Sequence, residues 1–349
     1  MRKLVLALLP ILLIGFLSTN SMAQMNRKNI KKNNKRISHF RGKKQGFTKD
    51  KKYSSLGFSV SALNYYGDIA PRPQRVSTDI SFTRPGVGVS FIHRFGPRYT
   101  LQAQFMYGIL KGGDAKSTNP DNENSKFRYK RNLSFRNRIK ELSVVAVVDL
   151  FKNEATYISR VKWTPYLYLG LAAFTNNPEA QAPARDLNGA TLNKGGEWVK
   201  LAPLGTEGQY STLSPTDANY GIKPYKLLQI AIPFGIGARF RINEVMDLWA
   251  DIGFRYTFTD YIDDISQNYV GLEKLKSPLA QSLSYRTNEI PGQPINPLIT
   301  PSGIPVEAGY GSEYPDNVRG NKNDKDIYMV TSIRLSYILG ANFHKAKFR

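Results

Sequence analysis

The sequence predicts an all-β chain, an eight-stranded antiparallel transmembrane β-barrel with long loops at one end and short turns at the other. Three observations predict it. Eight segments alternate apolar and polar side chains, the period of a strand with one oily face. Their connections run long, short, long, short, long, short, long, as in outer-membrane barrels. After an export signal, no apolar run is long enough to span a membrane as a helix.

Arg2 and Lys3 precede an apolar run from Leu4 to Leu17, and Ser21-Met22-Ala23 sets small residues where a signal peptidase reads, so cleavage after Ala23 is expected. The run contains Pro10 and is too short for a spanning anchor, which needs about 20 apolar residues. The net charge of +22 is concentrated next: Arg27 to Lys52 holds twelve Lys or Arg and one acid, Asp50. Such composition predicts a disordered tail over residues 24–54, ahead of a barrel over 55–349. In that tail Arg27, Lys28, Lys31, Lys32, Lys35, Arg36, Arg41, Lys43 and Lys44 form a candidate electrostatic dock for an acidic partner. The export signal argues against nucleic acid. Zero Cys means that the exported fold relies on neither disulfides nor a thiolate metal site.

In the first strand Leu56, Phe58, Val60 and Ala62 alternate with Gly57, Ser59 and Ser61, and a loop with Pro71 and Pro73 follows. The second sets Val87, Val89 and Phe91 against Gly88 and Ser90. A tight turn, Phe95-Gly96-Pro97-Arg98, leads to the third, with Leu101, Ala103, Phe105, Tyr107 and Ile109 on one side. Residues 111–136 are polar and without period, hence a loop. The fourth strand carries Leu142, Val144, Ala146, Val148 and Leu150 opposite Glu141, Ser143 and Asp149; the fifth runs Trp163 to Phe174. Residues 175–224 form a second long excursion, with room for a hairpin of its own. The sixth strand, Leu228 to Ile242, turns at Asn243-Glu244 into the seventh, where Met246 to Phe258 alternate with Asp247, Trp249, Asp251, Gly253, Arg255 and Thr257. A proline-rich loop precedes the eighth, Asp326 to Leu339, too proline-rich for central strands.

A soluble β-sandwich has the same alternation. The barrel is favoured because the polar faces all carry Gly, Ser, Gln or charges, whereas the apolar faces run for five or more residues without a charge. Tyr65, Tyr66, Tyr107 and Tyr225, near strand ends, are read as interfacial girdles. The topology places both termini in the periplasm, the barrel in the outer membrane, and lipid against the oily faces.

Projected inward, the polar faces give a lumen network of Arg94, Glu141, Asp149, Arg239, Arg241, Asp247, Asp251, Arg255 and Arg334. An eight-stranded barrel has room only for side chains, so the expectation is a plug of ion pairs rather than a pore, with the glycines of the second and sixth strands making room for Arg and Trp249. No catalytic constellation stands out. His39, His93 and His344 lack the pattern of a triad, His93 and His344 are read as rim residues, and no phosphate loop, zinc motif or other cofactor motif occurs. Asp260, Asp263 and Asp264 offer oxygen ligands for Ca²⁺, but not at EF-hand spacing, and a solvated or paired loop entrance is the preferred reading.

Several stretches together resemble the PorG-like outer-membrane β-barrels of bacteria that use type IX secretion. They are Asn64-Tyr65-Tyr66-Gly67-Asp68, Arg94-Phe95-Gly96-Pro97-Arg98-Tyr99, Asn132 to Arg138, Pro165 to Leu171, Ile232 to Gly237 and, most specifically, Phe254 to Ser266. The resemblance implies a non-enzymatic component of the secretion and gliding machinery, associated with a periplasmic ring lipoprotein. The basic tail and the proline-rich last loop depart from that family. The alternative, from the long loops, is a freestanding surface barrel that binds an extracellular ligand; a lipid-modifying barrel enzyme is the third reading.

Overall fold

The computed structural model describes residues 47–69, 82–118, 120–121, 123, 125–314 and 316–340. The expected signal segment, the tail cations Arg27 to Lys44, His39 and His344 lie outside the described residues.

In chain order the strands are β1 (Tyr53–Tyr66), β2 (Arg84–Arg94), β3 (Tyr99–Gly113), β4 (Ser134–Asp149), β5 (Trp163–Thr175), β6 (Pro178–Gln181), β7 (Trp198–Lys200), β8 (Leu228–Arg241), β9 (Met246–Thr257), β10 (Pro297–Ile299), β11 (Pro305–Glu307) and β12 (Ile327–Ile338). Three short helices, α1 (Asp114–Ser117), α2 (Lys126–Arg131) and α3 (Pro278–Ser284), lie in the long loops. Eight of the strands pair antiparallel in the order β3-β2-β1-β12-β9-β8-β5-β4, and β3 pairs with β4 to close the ring. Closure removes both sheet edges, so the wall has no unpaired row of amides to protect. No helix among the described residues is long and apolar enough to cross a membrane.

The alternation read from sequence now has a physical cause. Inward side chains are buried and outward ones exposed along each wall strand, as on β4, where Glu141, Ser143, Val145 and Val147 point in and Leu142, Val144, Ala146 and Val148 point out. Between its two rims the outward belt is dominated by apolar side chains: Phe58, Leu169 and Leu171 expose 55%, 59% and 66% of their surface. Ser55 pairs with Ile338 and Tyr53 with Arg94, so the start of β1 and the end of β12 share the end of the barrel that carries the short turns.

At the other end the long loops fold into a cap with its own apolar cores. One gathers Tyr269, Leu272, Leu275, Tyr285, Ile304 and Tyr310; a smaller one joins Ala180, Val199 and Leu201 to Leu283 of α3. The hairpin β6–β7 extends the wall upward, through the pairing of Arg136 with Glu179.

Wall glycines decide how large side chains fit inside, and here the structure corrects the expectation. They make room for tyrosines rather than for Trp249. A Cβ on Gly253 would stand 1.8 Å from the Tyr168 hydroxyl and 2.6 Å from the Phe234 carbonyl oxygen, and one on Gly237 would meet the Tyr166 ring at 2.5 Å. Arginine gains room from β1 instead, where Gly57 faces the Arg334 chain. Gly253→Ala should therefore lower the unfolding free energy by about 1–3 kcal/mol through overpacking. Urea titration in detergent, followed by tryptophan fluorescence, checks it; an unchanged midpoint contradicts the packing.

Candidate functional site

From the turn end upward, the lumen is filled in tiers. Asp149 Oδ2 accepts from Arg94 and from Arg239, each at 2.6 Å, and all three side chains are buried. Beside them Arg160 donates through Nε and Nη2 to Asp247 Oδ1 at 2.9 and 2.8 Å and through its other hydrogens to the carbonyls of Tyr157, Asn243, Glu244 and Met246. One guanidinium thus ties the β4–β5 turn to the β8–β9 turn. Trp249 lies between the Arg239 and Arg334 guanidiniums, 4.9 and 5.9 Å from its ring, and donates to Ser336. Such cation–π contacts strengthen where water is excluded.

In the next tier Arg334 donates to Gln102 and Gln104 at 2.7 and 3.0 Å and stands 3.6 Å from Asp251, which also accepts from Ser332 and Tyr166. Glu141 then accepts from Tyr328 at 2.7 Å and pairs with Arg255 at 3.4 Å. The gap between Gln102, Tyr168 and Arg255 is about 10 Å³, enough for no more than a single water. Above it an apolar stopper closes the barrel, built of Leu63, Met106, Leu110, Phe135, Ile139 and Phe174 from the wall together with Ile262 and Ile265 from the segment after β9.

That segment, the acidic end of the most distinctive sequence stretch, is buried. It turns back over the mouth through Asp264, whose φ of 70° is a left-handed conformation rare for a residue with a side chain. Tyr65 Oη lies 2.7 Å from Asp263 Oδ2 and 2.6 Å from Asp326 Oδ1. A phenol has one proton to give, so the two carboxyls compete for it as acceptors. The same two carboxyls accept the backbone N–H groups of Ile69, Ile262 and Ile265. Burial, and then the charge of Asp68 on Asp263 and of Asp263 on Asp326, hold both well above the usual carboxylate range. Burial pushes Asp260 up to about 8, and it pushes Asp264 up to about 6 against the pull of Arg319.

Two further arginines lock the cap to this mouth. Arg131 of α2 donates two 2.8 Å bonds to Asp114 and one each to the carbonyls of Asp68 and Arg319. Arg319 donates to Glu207 at 2.9 Å and to the Asp264 carbonyl, while Asp264 accepts from Thr206 and Tyr225. On the outer side of these contacts a cleft of about 880 Å³ opens between Tyr66, Phe127, Arg128, Tyr310, Asn321 and Lys325.

Of the residues projected into the lumen, Arg94, Glu141, Asp149, Arg239, Asp247, Asp251, Arg255 and Arg334 are buried there. Arg241 is the correction. It sits half-exposed at the turn end and donates to the Ile158 carbonyl, while Asp247, its register neighbour on β9, is taken by Arg160. Arg160 lies in a turn, outside the strand alternation that found the others. Two of the expected girdle tyrosines are also corrected: Tyr65 points inward to the acid pair, and Tyr225 bonds Asp264 and stacks on Tyr261 at 4.6 Å. His93 is half-buried and shares a 2.9 Å hydrogen bond with Ser54. Among the described residues no group of three or more His, Asp or Glu side chains could hold a metal ion, and Asp260, Asp263 and Asp264 diverge toward different partners.

Residues 45–186 match the family profile described as a domain of unknown function, DUF6089. No curated protein is similar enough to count as a relative. Solved structures with some likeness include Neisserial surface protein A (9% identity, TM-score 0.30, 82% of this chain and 96% of that one) and Ail of Yersinia pestis (10%, 0.30, 82% and 97%). OprG of Pseudomonas aeruginosa is similar to the same extent (9%, 0.31, 82% and 95%). At these scores the likenesses carry nothing about function, and the barrel rests on its own strand pairings.

Two predictions follow from the site. Asp149→Ala strands two buried guanidiniums and should cost about 3–5 kcal/mol, whereas Arg241→Ala at the rim should stay within about 0.5 kcal/mol; denaturant unfolding of both variants compares them. The raised carboxyls bind protons more tightly folded than unfolded. Their stabilisation is therefore complete below the ordinary value of 3.8 and is lost as pH rises through about 6 and then about 8. Limited proteolysis should find the cap more resistant at low than at high pH within that window, and Asp260→Asn should flatten the upper part of the loss.

Proposed function

We propose that the chain is an outer-membrane β-barrel that works as a fixed, non-enzymatic scaffold and not as a pore. The observation that carries this reading is the combination of an apolar outer belt with a lumen closed by ion pairs and an apolar stopper. A closed sheet can sit in hydrocarbon because every wall strand pairs on both sides, and wall strands of 11 to 16 residues exceed the roughly 10 that a tilted spanning strand needs. In this reading the short turns and both termini lie in the periplasm, as the usual topology of such barrels has them, and the cap faces outward.

Within that scaffold role, the sequence resemblance assigns the chain to the type IX secretion and gliding machinery. In that reading the basic tail, Arg27 to Lys44, is the electrostatic dock for an acidic face of a periplasmic ring lipoprotein. The second reading, a surface barrel that binds an external ligand, is favoured by one observation, the cleft of about 880 Å³ at the outer rim.

A deletion strain separates them. Loss of secretion of other proteins is the outcome expected for the machinery component, and intact secretion with lost surface binding is the outcome for the receptor. Deleting residues 26–52 should leave the barrel assembled but release its partner at low salt; unaffected co-purification contradicts the tail's role. In planar bilayers the intact protein should give no stepwise conductance, and regular steps would overturn the sealed lumen.

A further inference from the structure

The outer surface of the barrel is not uniform around its loop-side rim. On β3 and β4 the outward residues pair in register. Going up from the turns the pairs are Tyr99 with Val148, Leu101 with Ala146, Ala103 with Val144 and Phe105 with Leu142, all apolar. The next three are Tyr107 with Lys140, Ile109 with Arg138 and Lys111 with Arg136. The change from oil to cation happens within one outward step. On the opposite wall the same rim is held by Tyr66, Tyr256 and Phe258, which carry no charge.

Two of the four cations, Lys111 and Arg136, share one aromatic ring. The Arg136 guanidinium stacks 3.8 Å over the Trp198 ring of the hairpin β6–β7, and Lys111 lies 5.9 Å from the same ring. Glu179 is their acid, 2.8 Å from Arg136 and 3.4 Å from Arg138, and one carboxylate cannot balance four cations. Arg84 and Lys116 add positive field at Lys111. Arg138 leaves 46% of its side chain exposed, facing away from the barrel axis.

We infer that this sector, Lys111, Arg136, Arg138 and Lys140 above Phe105 and Leu142, is a docking surface for the phosphate groups of a phosphorylated glycolipid in the leaflet on the loop side. The inference rests on the membrane reading given above. Its occupant follows from continuity: the cations begin where the apolar belt ends, so a molecule that covers the whole sector lies against Phe105, Leu142 and Val144 as well. A lipid does both at once. Its acyl chains cover the belt, its phosphates meet the cations, and the stacked, partly immobilised Arg136 loses little freedom on binding. A soluble anion meets only the upper half.

The test uses the full mature chain in nanodiscs of phosphatidylcholine, titrated with bis-phosphorylated lipid A and followed by native mass spectrometry. The comparison protein is Arg138→Gln with Lys140→Gln, two exposed positions whose loss leaves the wall packing intact. The wild type should retain the phosphorylated lipid about 30-fold more tightly than the variant, with the gap closing as salt rises. Dephosphorylated lipid A should show no such gap. Equal retention by both proteins, or complete displacement of the lipid by inorganic phosphate, overturns the docking surface. A heat-modifiable mobility shift reports insertion independently: a wild type that fails to insert overturns the membrane reading and the site with it, whereas insertion without selective retention overturns the site alone.

Discussion

A closed sheet of eight strands has an interior about as wide as the side chains that fill it, and everything else in this structure follows from that narrowness. A charge that points inward has no water to face, so it must find an opposite charge or a hydrogen bond within the ring. Five guanidiniums, Arg94, Arg160, Arg239, Arg255 and Arg334, accordingly share Asp149, Asp247, Asp251 and Glu141. Pairs of this kind add little net stability over an apolar filling, because desolvation offsets attraction. They do make the alternatives costly: a one-residue slip of β2, β4, β8, β9 or β12 would turn its charges outward into the apolar belt and leave their partners stranded.

The same constraint divides what the sequence makes legible from what it hides. Strand alternation reports which side of the wall a residue is on, and so it found the inward charges of β2, β4, β8, β9 and β12. It is silent about height along the axis, which is why Arg241 looked equivalent to Arg239 although it stands at the rim. It is silent about loops as well. Arg160 stands in a turn without period, yet it holds two turns and Asp247 together, and only the short β4–β5 connection placed near Asp247 could have hinted at it. The tyrosines at strand ends were ambiguous for a related reason: Tyr65 and Tyr66 are neighbours on opposite faces, and what Tyr65 meets comes from residues 198 and 261 positions away.

The acidic stretch after β9 joins the cap to the barrel. Ile262 and Ile265 extend the wall's apolar stopper while Asp263 and Asp264, between them, reach Tyr65, Thr206 and Tyr225. A run that reads as a solvated loop entrance or an ion site is thereby a buried joint, held partly by the Tyr65 hydroxyl. Arg319, which donates to the Asp264 carbonyl, also lines the outer cleft together with Asp68 and Arg131.

On the membrane reading proposed above, the even-numbered face of β9 meets lipid while its odd-numbered face is sealed inside. The chain has no native cysteine, so single substitutions Leu248→Cys, Ile252→Cys, Phe254→Cys and Tyr256→Cys, with Ile299→Cys in the cap as the aqueous control, can be labelled one at a time in reconstituted vesicles. Probes at 248, 252, 254 and 256 should be quenched by nitroxide lipids and spared by a water-soluble quencher, with the reverse at 299. Aqueous quenching along β9 equal to that at 299 would contradict that reading.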